Sequence, residues 1–428
     1  MSEVIATNQT ILVVGGGISG MTAAIEAAEC GKQVILVEKN PSIGGRVSQL
    51  YKYFPKLCMP SCGLEINLRR LKANRNLRLL TMTEVSAVSG EAGNYSVTLK
   101  TAPRFVNDNC TACGECEKAV ETTFDSEYDY GMKQRKGAYL PFNMAYPQRY
   151  VIDPRMIGTP DADKAKAACK YDAVDLDMQE QETTLTVGAI IWATGWQPYD
   201  ADKIQPYGHD RIDNVVSSVE FERMLDPFGP TGGKIVRPSD GKEAKNVAFI
   251  QCAGSRDRNH LKHCSRICCM ATLKQTTYLR EKFADDFKAS VYYIDIRAID
   301  RIDDFYRRVK EDTNVTFVKS KVASITLDKA SGDPILHGVD TEGYHRYSNP
   351  HDLVVLAVGM EPSVPKNAFP VDIVINEEGF IEADKANGGI FAAGCSSDAL
   401  DVNRAVQSAT ASALRAIQVV NRVAGMEG

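Results

Sequence analysis

The run from residue 11 to residue 38 constrains this chain more than any other. Ile11-Leu12-Val13-Val14 is a short apolar run of β type, and Gly15-Gly16-Gly17-Ile18-Ser19-Gly20 follows it directly. Residues 21–30 read as a helix with Ile18, Met21, Ala24, Ile25 and Ala28 on one face, stopped by Gly31. Val34-Ile35-Leu36-Val37 reads as a second strand, ended by Glu38. Strand, glycine turn, helix and a second strand closed by an acid make the βαβ unit that binds dinucleotides. Gly15 permits the tight turn, Gly17 lets backbone approach a pyrophosphate, and Gly20 lets helix and strand pack closely. The helix start around Ser19 offers unpaired N–H groups to phosphate, and Glu38 can accept hydrogen bonds from ribose hydroxyls.

The rest of the chain must be consistent with that start. Its 428 residues suffice for two or three domains at roughly 150 residues each. Fifty basic and 55 acidic residues give a net charge of −5, which offers no electrostatic footprint for nucleic acid. Mean hydropathy is −0.24. The uncharged stretch 4–25 contains Asn8, Gln9, Thr10 and four glycines, so it reads as strand, turn and helix rather than a membrane span. No charged segment leads into an apolar run and a cleavage site, so no secretory signal is expected. Nothing resembles a Ser-His-Asp or paired-carboxylate arrangement for hydrolysis.

Two further signals favour FAD over NAD as the dinucleotide. Gly44-Gly45-Arg46 comes soon after Glu38, as in many flavoproteins with two dinucleotide domains. Near the other end, Gly389-Ile390-Phe391-Ala392-Ala393-Gly394-Cys395 resembles their second flavin motif. That motif usually carries an aspartate where Cys395 stands, so one hydrogen bond to the flavin is lost. A following helix through Val406 would aim its N-terminus at the flavin ring. Ala193-Thr194-Gly195 closes a strand of the first half, and 353–359 is its counterpart in the second. Lys39 and Val85 complete the expected flavin contacts. The predicted fold class is α/β: two nested Rossmann-like domains, thioredoxin-reductase-like, with a ferredoxin-like insertion. Residues 1–103, 179–220 and 351–428 form the FAD domain, 104–178 the insertion, and 221–350 the second nucleotide-type domain.

Twelve cysteines set this chain apart, and they are grouped. Without an export signal, grouped cysteines are more often redox or metal ligands than a disulfide framework. Cys110-x2-Cys113-x2-Cys116 opens like a bacterial ferredoxin run. In two-cluster ferredoxins each run's first three cysteines take their fourth ligand from the other run. Here the fourth position of the first run is Val120, and the other run's first three positions are Thr159, Ala162 and Ala165. One ligand set is thus wholly gone and the other wholly kept, as Cys110, Cys113, Cys116 and Cys169. One [4Fe–4S] cluster is expected there; a zinc-stabilised loop is the other reading, and Lys170 stands where proline is usual.

A second quartet lies where a second nucleotide fingerprint should be. Residues 246–251 read as its strand, but Cys252-Ala253-Gly254-Ser255-Arg256 follows, with one glycine instead of three. Cys264, Cys268 and Cys269 come next, and on a helix Cys264 and Cys268 would share a face. Four thiolates at a strand end could hold a second [4Fe–4S] cluster; a disulfide or buried core thiols are the alternatives. Cys58 and Cys62 read first as a packed loop, with a redox pair or a ligand pair also open, and Cys30 reads as core. His260 and His263 could tune the second quartet but read more simply as polar surface.

Several stretches together resemble the A-subunit of heterodisulfide reductase. They are Gly44-Gly45-Arg46-Val47-Ser48-Gln49-Leu50 with Phe54-Pro55, Arg104-Phe105-Val106, Tyr150-Val151-Ile152-Asp153, Val187-Gly188-Ala189-Ile190-Ile191 and Cys264-Ser265-Arg266-Ile267-Cys268-Cys269-Met270. The likeness covers most of the chain. Longer members carry additional ferredoxin modules, and ending at Gly428 without them is similar to the short form found in quinone-interacting membrane-bound oxidoreductases of sulfate reducers. The resemblance implies one FAD, iron–sulfur centres, a membrane quinone-reactive subunit, and beside it a sister flavin/iron–sulfur subunit. It further implies electron flow between menaquinone and adenylylsulfate reductase, at the cytoplasmic face of the membrane, without direct membrane insertion. The alternatives are an NAD(P)H-dependent disulfide reductase and an electron-bifurcating heterodisulfide-reductase-like subunit.

Overall fold

The computed structural model describes residues 6–298, 302–365, 368–382 and 388–426. Among these, ten strands make two parallel sheets. In chain order they are β1 (Ile11–Val14), β2 (Val34–Glu38), β3 (Leu77–Thr81), β4 (Ala189–Trp192), β5 (Val215–Ser217), β6 (Asn246–Ala253), β7 (Lys288–Tyr293), β8 (Val315–Lys319), β9 (Leu353–Val358) and β10 (Ile390–Ala392). Helices used below are α1 (Ile18–Glu29), α2 (Pro60–Ala73), α3 (Ser218–Leu225), α4 (Ile267–Phe283) and α5 (Val402–Met426).

The first sheet runs β10-β4-β1-β2-β3 and the second β5-β9-β6-β7-β8. Strands β1, β2, β4, β5 and β9 are buried at every residue, the near-continuous apolar reading of parallel strands covered on both faces. In each sheet the strand order reverses at one strand, β1 in the first and β6 in the second. A ligand crevice opens at the carboxyl ends beside such a strand. Crevice and glycine turn therefore coincide at β1, and crevice and Cys252 coincide at β6.

Two antiparallel strands, Asn94–Thr101 and Gln181–Val187, flank residues 102–180 and pair with Thr101 opposite Gln181. The segment between them leaves and re-enters at one point of a ladder. It packs its own apolar cluster, in which Val120, Ala162 and Ala165 are fully buried with Cys116, Ile152 and Val174. Thr159 caps the helix Pro160–Ala168 by accepting from the Ala162 N–H at 3.4 Å. The positions of the lost ligand set have become core and cap.

Two local expectations are corrected. Cys30 caps the C-terminus of α1 and is exposed, because the buried face of α1 ends at Ala28. Cys264 does not share a helical face with Cys268. Arg266 takes a left-handed conformation (φ 59°), and α4 begins only at Ile267, so Cys264 belongs to the preceding loop. The two histidines bond elsewhere than to the quartet: His263 Nε2 lies 2.9 Å from the Met360 carbonyl, and His260 pairs with the Tyr199 hydroxyl.

One clamp in the fold carries a pH dependence. His209 sits between Asp202 Oδ1 (2.6 Å) and Glu220 Oε2 (3.0 Å), and Glu220 also accepts from the Ser217 N–H at the start of α3. The Glu220 hydrogen bond, opposed by burial, lifts the imidazole from 6.5 to about 9. A raised histidine stabilises the fold fully below its unfolded value and loses that contribution as pH rises through the folded one. The urea midpoint is expected to fall from pH 6.5 through about 9, and His209→Gln to flatten that window.

Candidate flavin cleft and cysteine quartets

A cavity of about 890 Å³ opens at the carboxyl end of β1. That is the upper part of the range for small-molecule and cofactor sites. Gly15, Gly17, Ser19, Glu38, Lys39, Gly45, Arg46, Val85, Ala193, Thr194, Gly195 and Cys395 all line it. Gly20, Gly394 and Val406 do not, each for a local reason. A Cβ on Gly20 would sit 1.7 Å from the Gly15 carbonyl oxygen, so this glycine serves helix–strand packing, as its place in the turn predicts. Gly394 backs onto the Ser19 side chain. Val406 is corrected: the helix α5 presents Val402, Arg404 and Ala405 to the cavity instead.

The turn is shaped for a ligand that approaches backbone closely. Nothing lies within 3.8 Å of a Cβ built on Gly17, and what lies there is Gly45 Cα. Gly17 is also the N-cap of α1 and supplies no side-chain cap, which leaves the first N–H groups of the helix to an anion. Burial raises Glu38 above the usual carboxylate range, against hydrogen bonds from Asn40 and Gly16. Its Oε2 accepts from the Gly16 N–H at 2.6 Å and its Oε1 from Asn40, so it is oriented by the turn it faces. Trp192 and Gln275 line the cavity, and among the described residues their buried Nε1 and Oε1 atoms have no partner. Unpaired buried polar groups of this kind fit a polar cofactor. Cys395 cannot replace an aspartate: its thiol is buried, raised to about 11, and donates to the Leu400 carbonyl at 3.3 Å.

The insertion forms part of the wall. Tyr128, Arg135, Tyr139 and Phe142 line the cavity, with Tyr128 and Phe142 stacked at 4.9 Å and 9°. Arg104 braces the segment against the first sheet by donating to the Pro41 carbonyl (2.5 Å), Thr81 Oγ1 (2.8 Å) and the Arg149 carbonyl (3.1 Å).

Sequence reading missed the most deeply buried charges of the cleft. Lys274 on α4 and Glu222 on α3 pair at 2.9 Å, with 3% and 2% of their side chains exposed, and both line the cavity. Glu222 also accepts from the Tyr51 N–H, Gln275 Nε2 and the Tyr278 hydroxyl, while Lys274 donates to the Lys52 carbonyl. Lysine and glutamate on amphipathic helices look like surface charges in a sequence; only the crossing of α3 and α4 buries them.

In each quartet the cysteines lie within electrostatic reach of one another without converging on one point. Cys116 lies within electrostatic range of Cys110, Cys113 and Cys169, and burial pushes its thiol up to about 12. Cys268 lies within range of Cys252, Cys269 and Cys264, and burial pushes it to about 12 and Cys269 to about 11. Backbone N–H groups point at sulfur in both: Ala112 to Cys110 (3.4 Å), Ala173 to Cys169 (3.3 Å), Arg266 to Cys264 (3.4 Å) and Arg297 to Cys269 (3.5 Å). None of these cysteines is in a disulfide. Among the described residues, no three His, Cys, Asp or Glu side chains converge as they would around one ion. A single zinc draws its thiolates to about 2.3 Å, whereas a cubane spreads four thiolates over its corners. Thiols gathered this loosely, with backbone N–H groups aimed at several of the sulfurs, fit the larger group. Cys268 also lines the flavin cavity, and no member of the first quartet does. Cys58 and Cys62 stand apart from both; Cys58 bonds the Tyr53 hydroxyl, which burial raises to about 12.

Fold and cleft together define an oxidoreductase of the FAD-dependent, two-nucleotide-domain type. A family model of FAD dependent oxidoreductases matches residues 10–59. The whole fold is similar to thioredoxin reductases from Lactococcus lactis (TM-score 0.52, 13% identity, 97% of this chain and 99% of that one) and T. acidophilum (TM-score 0.50, 13% identity, 96% and 98%). The chain is 37% identical over 418 residues to one of the iron–sulfur A-subunits of CoB–CoM heterodisulfide reductase from Methanopyrus kandleri, covering 95% of this chain and 63% of that one. It is 38% identical over 390 residues to the corresponding A-subunit of Methanocaldococcus jannaschii, covering 89% and 58%. Over most of its length the chain is similar to the A-subunits of heterodisulfide reductase, and it spans less than two thirds of the length of these relatives.

Proposed function

We propose that this chain is an electron-transfer subunit that holds one FAD and two [4Fe–4S] clusters and works between menaquinone and adenylylsulfate reductase through partner subunits. The observation that carries the electron-transfer reading is the exchange at β6. Where a nicotinamide dinucleotide would meet a glycine turn, the strand ends in Cys252 and a quartet whose Cys268 borders the flavin cavity. When bound, FAD exchanges electrons in pairs or singly and iron–sulfur clusters exchange them singly. The chain's own residues do the holding. Gly15, Gly17 and the start of α1 would cradle the pyrophosphate, Glu38 the ribose, and the α5 N-terminus would face the ring system. Cys110, Cys113, Cys116 and Cys169 would hold one cluster, and Cys252, Cys264, Cys268 and Cys269 the other. Tyr128, Tyr139 and Phe142 of the insertion close one wall against water, and the Lys274–Glu222 pair fixes charge on another.

The quinone-linked assignment rests on the resemblance to the A-subunit of quinone-interacting membrane-bound oxidoreductases. Among the described residues no helix is long and apolar enough to cross a membrane, so quinone chemistry falls to a membrane sister subunit. The test reconstitutes the chain with its neighbouring subunits in menaquinone-containing vesicles. Reduced menaquinone analogue is expected to bleach the flavin and to reduce added adenylylsulfate reductase, while NAD(P)H leaves the flavin oxidised. Rapid bleaching by NAD(P)H would sink the reading in favour of a disulfide reductase. Reduction that requires both a heterodisulfide and ferredoxin would favour the bifurcating form.

A further inference from the structure

The second quartet is flanked by three charged side chains that the flavin-holding roles above leave unused. Arg256 follows Cys252 in the loop that replaced the glycine fingerprint, near enough for its charge to act at the Cys252 sulfur. Its Nη1 also meets Asp295 Oδ1 at 2.7 Å. Asp295 stands just beyond the carboxyl end of β7, and the same Oδ1 also accepts from Arg297 Nε at 3.3 Å. The same two residues grip Cys269 through backbone: the Asp295 carbonyl accepts from Cys269 Sγ at 3.7 Å, and the Arg297 N–H donates to it at 3.5 Å. Arg297 in turn lines the flavin cavity. An Arg–Asp–Arg bridge thus spans from the ligand at the end of β6 to the cleft.

Fold stability does not account for it. Asp295 is 45% exposed and Arg256 24%. Pairs so open to water contribute roughly 0–1 kcal/mol. Arg256 also holds a left-handed backbone (φ 57°), a conformation that costs a non-glycine residue. A charge kept in that posture against a thiol acts on what the thiol binds.

We propose that this bridge sets the reduction potential of the centre held by Cys252, Cys264, Cys268 and Cys269, with Arg256 raising it and Asp295 lowering it. The proposal rests on the reading that this quartet holds a cluster. Reduction adds one electron and one negative charge, and no bond is made or broken. A fixed cation beside the ligand stabilises the reduced form, and a fixed anion destabilises it. Arg256 and Asp295 are positioning residues that act through the ligands, and their effects have opposite sign.

The test is a mediated dithionite titration of anaerobically purified full-length protein, followed by electron paramagnetic resonance. Arg256→Ala is expected to shift the midpoint of the second-quartet signal to more negative potential, and Asp295→Asn to more positive. Arg256→Lys should stay near the parent, since Lys keeps the charge. Both shifts should shrink at 1 M salt, where the screening length falls to about 3 Å. Midpoints unmoved in both variants would overturn the proposal, and so would shifts of the same sign, which is what mere loosening or added solvent access gives. The two failures are separable. If Cys268→Ser keeps all its iron, the quartet holds no cluster and the underlying reading fails. If that iron leaves while the midpoints do not move, only the tuning fails.

Discussion

Cys268→Ser protein, purified without oxygen, is expected to carry about four irons per flavin where the parent carries about eight, because each quartet accounts for one four-iron centre. The expected loss is large because the neighbouring group is a poor substitute. Ser265, whose oxygen lies 3.4 Å from Cys268 Sγ, offers a buried hydroxyl and no thiolate. Cys116→Ser should remove the same amount from the other quartet. The two variants separate in the flavin spectrum. Cys268 lines the cavity, so its loss should perturb the flavin band, whereas Cys116 packs in the insertion core and should leave it unchanged. Quantitation of iron, sulfide and flavin together decides the matter. Four irons in the parent would eliminate one quartet, and eight in both variants would eliminate the scheme.

Lys274→Met is expected to cost about 3–5 kcal/mol of stability, the usual penalty for stranding one member of a buried pair. Glu222 keeps its hydrogen bonds to Tyr51, Gln275 and Tyr278 but loses its paired cation, at 2% exposure. The double variant Lys274→Met with Glu222→Gln should recover much of that loss, since an amide needs no countercharge and the apolar stem of methionine fills the lysine volume. The readout is the urea midpoint of each protein. A double variant as unstable as the single one would mean that packing, and not charge, holds the site.

What the sequence revealed and what it hid divide along a physical line. The β1-turn-α1-β2 unit was legible because period, glycine spacing and the terminal acid are local. The cysteine spacings are a local chemical code of the same kind, and Val120, Ala162 and Ala165, which stand where the ferredoxin pattern would put cysteines, are core. The helical pairing of Cys264 with Cys268 failed because nothing in the composition announces the left-handed turn at Arg266. Lys274 with Glu222, and Arg256 with Asp295, were hidden because each pair is made by separate elements crossing. The stretch from Tyr128 to Pro147 reads from sequence either as a solvated loop or as a docking surface for a partner or the flavin's edge, and the Tyr128–Phe142 stack at the cavity accords with the second.

The pairing of Thr101 with Gln181 has an evolutionary and a practical reading. A segment whose two ends leave the same rung of one ladder can be exchanged for a shorter or longer one with no change of register in the sheet behind it. The flavin scaffold can therefore accept different wiring modules like cartridges in a fixed socket. A deletion joining Thr101 to Gln181 through a two-residue Asn-Gly hairpin tests whether the scaffold still takes up flavin alone.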